Sequence, residues 1–249
     1  MNMPTTGKEA QTRFRYYDLL MAGFVTVLLC ANLIGPAKVC ELDLPFALPI
    51  IGASIVFGAG NIFFPISYIF GDVLTEVYGY ARARKVIWAG FAAMIFATAM
   101  THTILTLPPS SGEPFNAVLQ PALETVFGNT WRVVVASIVA FWVGDFVNAY
   151  ILARLKVRMK GRHLWMRTIG STIFGQGIDS LIFYPIAFYG IWDSSTLFVV
   201  LVFNFCFKVG IEIIMTPATY LAVGFLKQRE AVDHYDDDTN FTPFALDER

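Results

Sequence analysis

Apolar runs of about twenty residues recur along the chain, and the connections between them are alternately rich and poor in Lys and Arg. A helix needs about 20 residues to cross the ~30 Å hydrocarbon layer of a bilayer. Six runs meet that length: Leu19–Ala37, a run ending near Gly79, Val86–Leu107, Val133–Leu155, Trp165–Ile191 and Thr196–Leu226. Such runs exclude a water-soluble core, because no soluble domain has enough polar surface to cover them. Composition agrees: 56% of the residues are hydrophobic and 15% charged, against about 25% charged in ordinary soluble domains.

The charges test the span count. Basic residues cluster before the first run (Lys8, Arg13, Arg15), in the second–third turn (Arg82, Arg84, Lys85), in the fourth–fifth loop (Arg154 to Arg167) and in the tail (Lys227, Arg229, Arg249). Only Lys38 and Arg132 fall on the other side, and Lys208 lies inside a run. Basic connections stay on the cytoplasmic side. The pattern therefore predicts an all-α membrane protein with six transmembrane helices and both termini cytoplasmic. Three units follow: a cytoplasmic N-terminal tail (1–18), a six-helix domain (19–228) and an acidic, mobile cytoplasmic tail (229–249). The polar N-terminus of about 16 residues lacks the apolar core and cleavage site of a signal peptide.

Two regions depart from plain spans. The stretch from Leu44 to Gly71 holds Pro45, Pro49, Gly52, Gly58, Gly60 and Pro65. One straight helix is excluded there, leaving a re-entrant or irregular piece lining a cavity, or an outer loop dipping into the headgroups. Residues 114–128 place apolar side chains at Phe115, Val118, Leu119, Ala122, Leu123, Val126 and Phe127, which is the spacing of a short outer amphipathic helix.

The chemistry lies in polar residues inside the runs. Asp72 and Glu76 share a helix face, as do Asp145 and Asn148, Gln176 and Asp179, and the series Asn204, Lys208, Glu212. An ionised group at mid-bilayer costs about 2.5–3.5 kcal/mol on insertion scales. Five carboxylates and one lysine therefore face one another or a wet cavity. Structural ion pairing is the bland alternative for Lys208 with one Asp, but one lysine cannot neutralise five acids. The remainder needs protons, water, a ligand, or a helix-end base such as Arg82 or Arg154. Glu76, about three residues from the basic turn, has solvation as its alternative.

No metal or cofactor is expected. The three His residues and Cys30, Cys40 and Cys206 have no ligand spacing, and no Gly-rich phosphate loop precedes a Lys. No basic nucleic-acid stripe is present. A transporter for a small polar solute remains, with a membrane enzyme or a charge-registered scaffold as competitors. Carboxylate acceptors, a lysine donor and nearby aromatic walls suit a planar heterocycle with paired N–H edges.

Three blocks carry a resemblance: "FPISYIFGDVLTEVYGYARARKVIW", "STIFGQGIDSLIFYPIAF" and "FNFCFKVGIEIIMTPATY". In this order they resemble the queuosine precursor transporter family, also called the vitamin uptake transporter family, over about Asn61 to Leu226. The resemblance implies a non-enzymatic, multi-pass carrier of the bacterial inner membrane. It would import 7-cyano-7-deazaguanine or 7-aminomethyl-7-deazaguanine, and a homo-oligomer is compatible with it. The family's polar positions fall on Asp72, Glu76, Asp179 and Lys208, with Asp145 and Asn148 in the fourth span; Asn204 stands where some members carry an acid. The expected substrate-binding set is thus Asp72, Glu76, Asp145, Asn148, Gln176, Asp179, Asn204 and Lys208. Within it, one of Asp72, Asp145 or Asp179 accepts from a guanine-like edge, and Lys208 or Gln176 donates to the ring carbonyl. "SYIFG" at 67–71 and "STIFG" at 171–175 hint at an inverted three-plus-three repeat.

Overall fold

The computed structural model describes residues 14–33, 39–48, 52–128, 131–191 and 193–245. Seven helices dominate: α1 (Tyr17–Leu33), α2 (Phe64–Tyr78), α3 (Tyr80–Thr106), α4 (Asn116–Phe127), α5 (Trp131–Arg158), α6 (Leu164–Phe188) and α7 (Ser194–Glu230). Three stretches, Tyr80–Thr106, Arg132–Arg158 and Ser194–Glu230, are long and apolar enough to cross a membrane. All six predicted runs fall on helices other than α4. α1 has 17 residues and α2 only 15, which is about 22 Å at 1.5 Å per residue. The described part of the first helix runs to Leu33, and the rest of the expected run, to Ala37, lies outside the described residues.

Local chemistry sets the helix ends. Pro65 in the first turn of α2 costs no hydrogen bond, because the first N–H groups have no helical partner anyway. Gly79 closes α2 with φ of 84° and donates its N–H to Thr75 O, so α3 starts at once. Asp193 caps α7, its Oδ1 accepting from the N–H of Ser195 (3.1 Å) and Thr196 (2.9 Å). These hydrogen bonds, with those from both hydroxyls, hold its carboxyl well below the usual range.

Two expectations are corrected. The fold is not purely α-helical: strands β1 (Val39–Leu48) and β2 (Gly52–Gly58) form an antiparallel hairpin with Cys40 opposite Phe57 and Leu42 opposite Ile55. The pairing is irregular between Asp43 and Leu48, where Pro45 has no N–H to give. The stretch after Leu44, expected as a re-entrant or irregular piece or as an outer loop, is strand-paired in most of its described part up to Gly58. It is a hairpin that enters α2 through a 3-10 turn at Ala59–Phe63, and residues 49–51 lie outside the described residues. The expected outer helix is present as α4, with Phe115, Val118 and Val126 exposed and Gln120 Nε2 bonded to Leu105 O at 3.0 Å.

The second correction concerns the tail. Its polar, acidic composition predicts mobility, yet residues 231–245 are bound across one end of the bundle. Asp236 is 1% exposed, and both its oxygens accept from the Tyr80 N–H (3.0 and 3.1 Å), putting a carboxylate at the start of α3. Arg84 donates to Asn240 O and Thr242 O (2.7 and 2.8 Å), and Trp88 Nε1 donates to Pro243 O at 2.8 Å. Phe241 packs on Tyr80 and Tyr150 under the Arg154 guanidinium. A Cβ on Gly79 would come 2.1 Å from His234, so that turn must be glycine both for its φ and for the tail. Glu230, ending α7, also accepts from the N–H groups of Arg15 and Tyr16 (3.0 and 2.7 Å). The segments rich in basic residues thus meet at one end of the bundle.

One clamp titrates. Asp233 lies 2.5 Å from Lys156 Nζ and 2.8 Å from Lys227 Nζ. Burial pushes its carboxyl up, but the two ammonium groups prevail and hold it below the usual range. A carboxyl depressed by folding contributes stability that is full above its unfolded pKa of about 4 and is lost as pH falls through the depressed value. Protection from hydrogen exchange over residues 231–245 is expected to fall on acidification towards pH 3. Asp233→Asn is expected to lower that protection already at pH 7.

Candidate functional site

The polar stripes of α2, α5, α6 and α7 meet because α5 and α6 pack at glycines. A Cβ on Gly175 would lie 2.8 Å from Asn148 Cβ and 2.9 Å from Gly144 O. A Cβ on Gly144 would lie 3.0 Å from Asp179 Cβ. This contact brings the backbones carrying Asn148 and Asp179 together. Gly175→Ala forces them apart and is expected to cost about 1–3 kcal/mol of stability. A thermal melt in detergent checks this.

Beside this contact runs a narrow, partly open cleft. Tyr68 from α2, Asp145 and Asn148 from α5, and Thr172 and Gln176 from α6 line it, with Phe24 of α1 as an apolar wall. Several of these groups have unused hydrogen-bonding capacity. The Tyr68 hydroxyl, Asn148 Oδ1 and Gln176 Oε1 are buried without a partner. Buried polar atoms without partners are costly and rare, and they mark where a ligand or water belongs. The segments 67–71 and 171–175, alike in sequence, contribute Ser67, Tyr68, Gly71 and Thr172 to the same cleft.

Asp179 and Lys208 form an ion pair at 2.6 Å, with side chains 18% and 11% exposed. Lys208 Nζ also sits 4.8 Å over the Phe64 ring. Asp145 is an electrostatic neighbour of both, so two acids face one lysine. Asp72 joins through Asn148, whose Nδ2 donates to its Oδ1 at 3.4 Å. Six expected residues, Asp72, Asp145, Asn148, Gln176, Asp179 and Lys208, thus converge on the cleft and its flank.

Two do not. Asn204 donates to Val200 O of its own helix at 3.1 Å and does not line the cleft. Glu76 is fully buried in a separate cluster at the tail end. Both of its oxygens accept from Arg167 (Nη2–Oε1 3.2 Å), and Lys227 Nζ lies 2.7 Å and Lys156 Nζ 3.6 Å from Oε1. Solvation, the alternative offered for Glu76 from sequence, does not hold for this fully buried side chain. The expected set also omits Tyr68, which lines the cleft four residues before Asp72 on the same helical face. It was legible as a continuation of the i, i+4 stripe.

The family model described as "Putative vitamin uptake transporter" matches residues 58–222. The chain belongs to that family. A probable queuosine precursor transporter of Bacillus subtilis (strain 168) is 33% identical over 201 residues, 80% of each chain. The queuosine precursor transporter of Escherichia coli (strain K12) is 29% identical over 178 residues, covering 69% of this chain and 73% of its own. A probable queuosine precursor transporter of Haemophilus influenzae is 27% identical over 131 residues, about half of each chain. No solved structure matches. The matched region runs from the end of the hairpin into α7 and contains every residue of the cleft except Phe24. With its apolar helices, this chain is a membrane protein of a family named for transport.

Proposed function

We propose that the chain imports a queuosine precursor, 7-cyano-7-deazaguanine or 7-aminomethyl-7-deazaguanine, across the bacterial inner membrane. The observation that carries this reading is the cleft at the α5–α6 glycine contact, where unpartnered acceptors and a Tyr hydroxyl border a carboxylate–lysine pair. A deazaguanine offers what these groups lack. Its ring N–H and exocyclic amine face Asp145, its carbonyl oxygen accepts a hydrogen bond from Lys208 or Tyr68, and Gln176 and Asn148 accept from the remaining edge. For the aminomethyl form, the second acid of the Asp145–Asp179 pair meets the ammonium. Asp72 supports the site through Asn148. Glu76 and Asn204 stand outside it.

In this reading α1, α2, α3, α5, α6 and α7 are six spans, with the basic end and both termini in the cytoplasm. The short α2 completes its crossing with the hairpin and 3-10 turn. The two similar segments on α2 and α6 belong to inverted halves that rock about the cleft for alternating access. The carrier does no covalent chemistry and needs no cofactor. The bilayer is its surroundings, and one chain contains the whole cleft, whether or not copies associate.

A bacterial host unable to make the precursors, fed traces of either, tests this. Expression of the chain is expected to restore queuosine in tRNA. A host in which the protein reaches the membrane and tRNA stays unmodified overturns the proposal.

A further inference from the structure

Glu212 has no place in the substrate scheme above, and its surroundings ask for one. It is 1% exposed, and its carboxylate oxygens meet no donor unless the facing Asp72 carboxyl or Glu212 itself carries a proton. Asp72 on α2 is also 1% exposed, and the two carboxyl groups lie within hydrogen-bonding reach of one another. The surrounding bases are taken. Lys208, one turn along α7, is held by Asp179, and Arg167, Lys156 and Lys227 gather on Glu76, one turn along α2. From α5 Asp72 meets only the neutral amide of Asn148, and on α2 Tyr68 brings a hydroxyl towards Glu212. From α3 Arg84 is bonded to tail carbonyls, and α1 contributes the apolar Phe24 and Leu28 to the core. Two adjacent, desolvated carboxylates with no cation cannot both be ionised at tolerable cost.

We propose that Asp72 and Glu212 form a proton site that couples import to the proton gradient. This deepens the transport reading and rests on it. One proton from the outer solution bonds to a Glu212 oxygen, and the same O–H bond breaks towards the cytoplasm later in the cycle, one proton per guest. The link to the cleft is Asn148, whose Nδ2 holds Asp72 while its unpartnered Oδ1 lines the cleft. A guest donating to that oxygen and a proton on the pair therefore act on one amide, so the two binding events are coupled through Asn148.

The test uses the full chain in proteoliposomes with radiolabelled 7-cyano-7-deazaguanine, whose neutrality leaves the proton as the only charge moved. Counterflow exchange, which needs no gradient, is measured beside net accumulation. At one proton per guest, a gradient of about one pH unit sustains up to about tenfold accumulation in the wild type. Glu212→Gln, a permanent mimic of the protonated acid, is expected to keep exchange and lose gradient-driven accumulation. Wild-type net accumulation that ignores the pH gradient, with exchange intact, overturns the proton site alone. So does accumulation driven by sodium at constant pH, or by the pH gradient in Glu212→Gln. A well-folded Glu212→Gln that no longer exchanges makes Glu212 a guest contact and also overturns it. Absence of any wild-type exchange overturns the transport reading and the proton site together.

Discussion

Replacing Glu76 with alanine is expected to destabilise the protein by about 3–5 kcal/mol, the usual cost of removing one partner from a buried charge cluster. The side chain is fully buried and ties together four helices: its own α2, α6 through Arg167, α7 through Lys227 and α5 through Lys156. Lys156 Nζ also donates to Glu76 O at 2.5 Å, and it reaches the tail at Asp233 and His234 O. Without the carboxylate, three cations face one another. Arg167 is 1% exposed and would lose its only carboxylate partner among the described residues. Glu76→Gln keeps an acceptor but not the charge and is expected to fall between. Thermal unfolding in detergent measures both. A Glu76→Ala protein that melts with the wild type, yet no longer binds a deazaguanine, would return Glu76 to the guest site.

Lys208→Ala is expected to reduce transport at least about thirtyfold, because truncating one member of a buried hydrogen-bonded charge pair costs about 2–5 kcal/mol. Asp179 would stand beside Asp145 with no cation between them. The bland alternative is that the pair only fastens α6 to α7. The double variant Asp179→Asn, Lys208→Met separates the two readings, since it removes both charges and leaves none uncompensated. Recovery of stability without recovery of uptake is expected. If uptake returns as well, the pair is a fastener and the guest is held elsewhere.

The long helices were legible because period and hydropathy are local properties. α3, α5 and α7 fall within a few residues of their expected runs. The hairpin was legible in part. Leu42 and Leu44 alternate with Glu41 and Asp43, a period of two, but Pro45, Pro49, Gly52 and Gly58 drew attention to broken helix instead. The tail failed for a different reason. Its residues are polar, yet Asp236 finds Tyr80 across 156 positions of sequence, and no local pattern encodes a contact at that separation. Glu76 fails likewise, since Arg167 is 91 positions away. In the site, the i, i+4 stripes were visible on each helix. The crossing of the helices then decided membership, seating Asp145 and Gln176 at the cleft and leaving Asn204 on its own backbone.

Equilibrium binding of 7-cyano-7-deazaguanine to the purified wild type and to Asp145→Asn, both confirmed folded, tests the cleft as the guest site most directly. Saturable binding to the wild type that weakens at least about tenfold in Asp145→Asn is the expected result, from the loss of one charge-assisted contact. Equal binding by the two proteins, or none by the folded wild type, would contradict it.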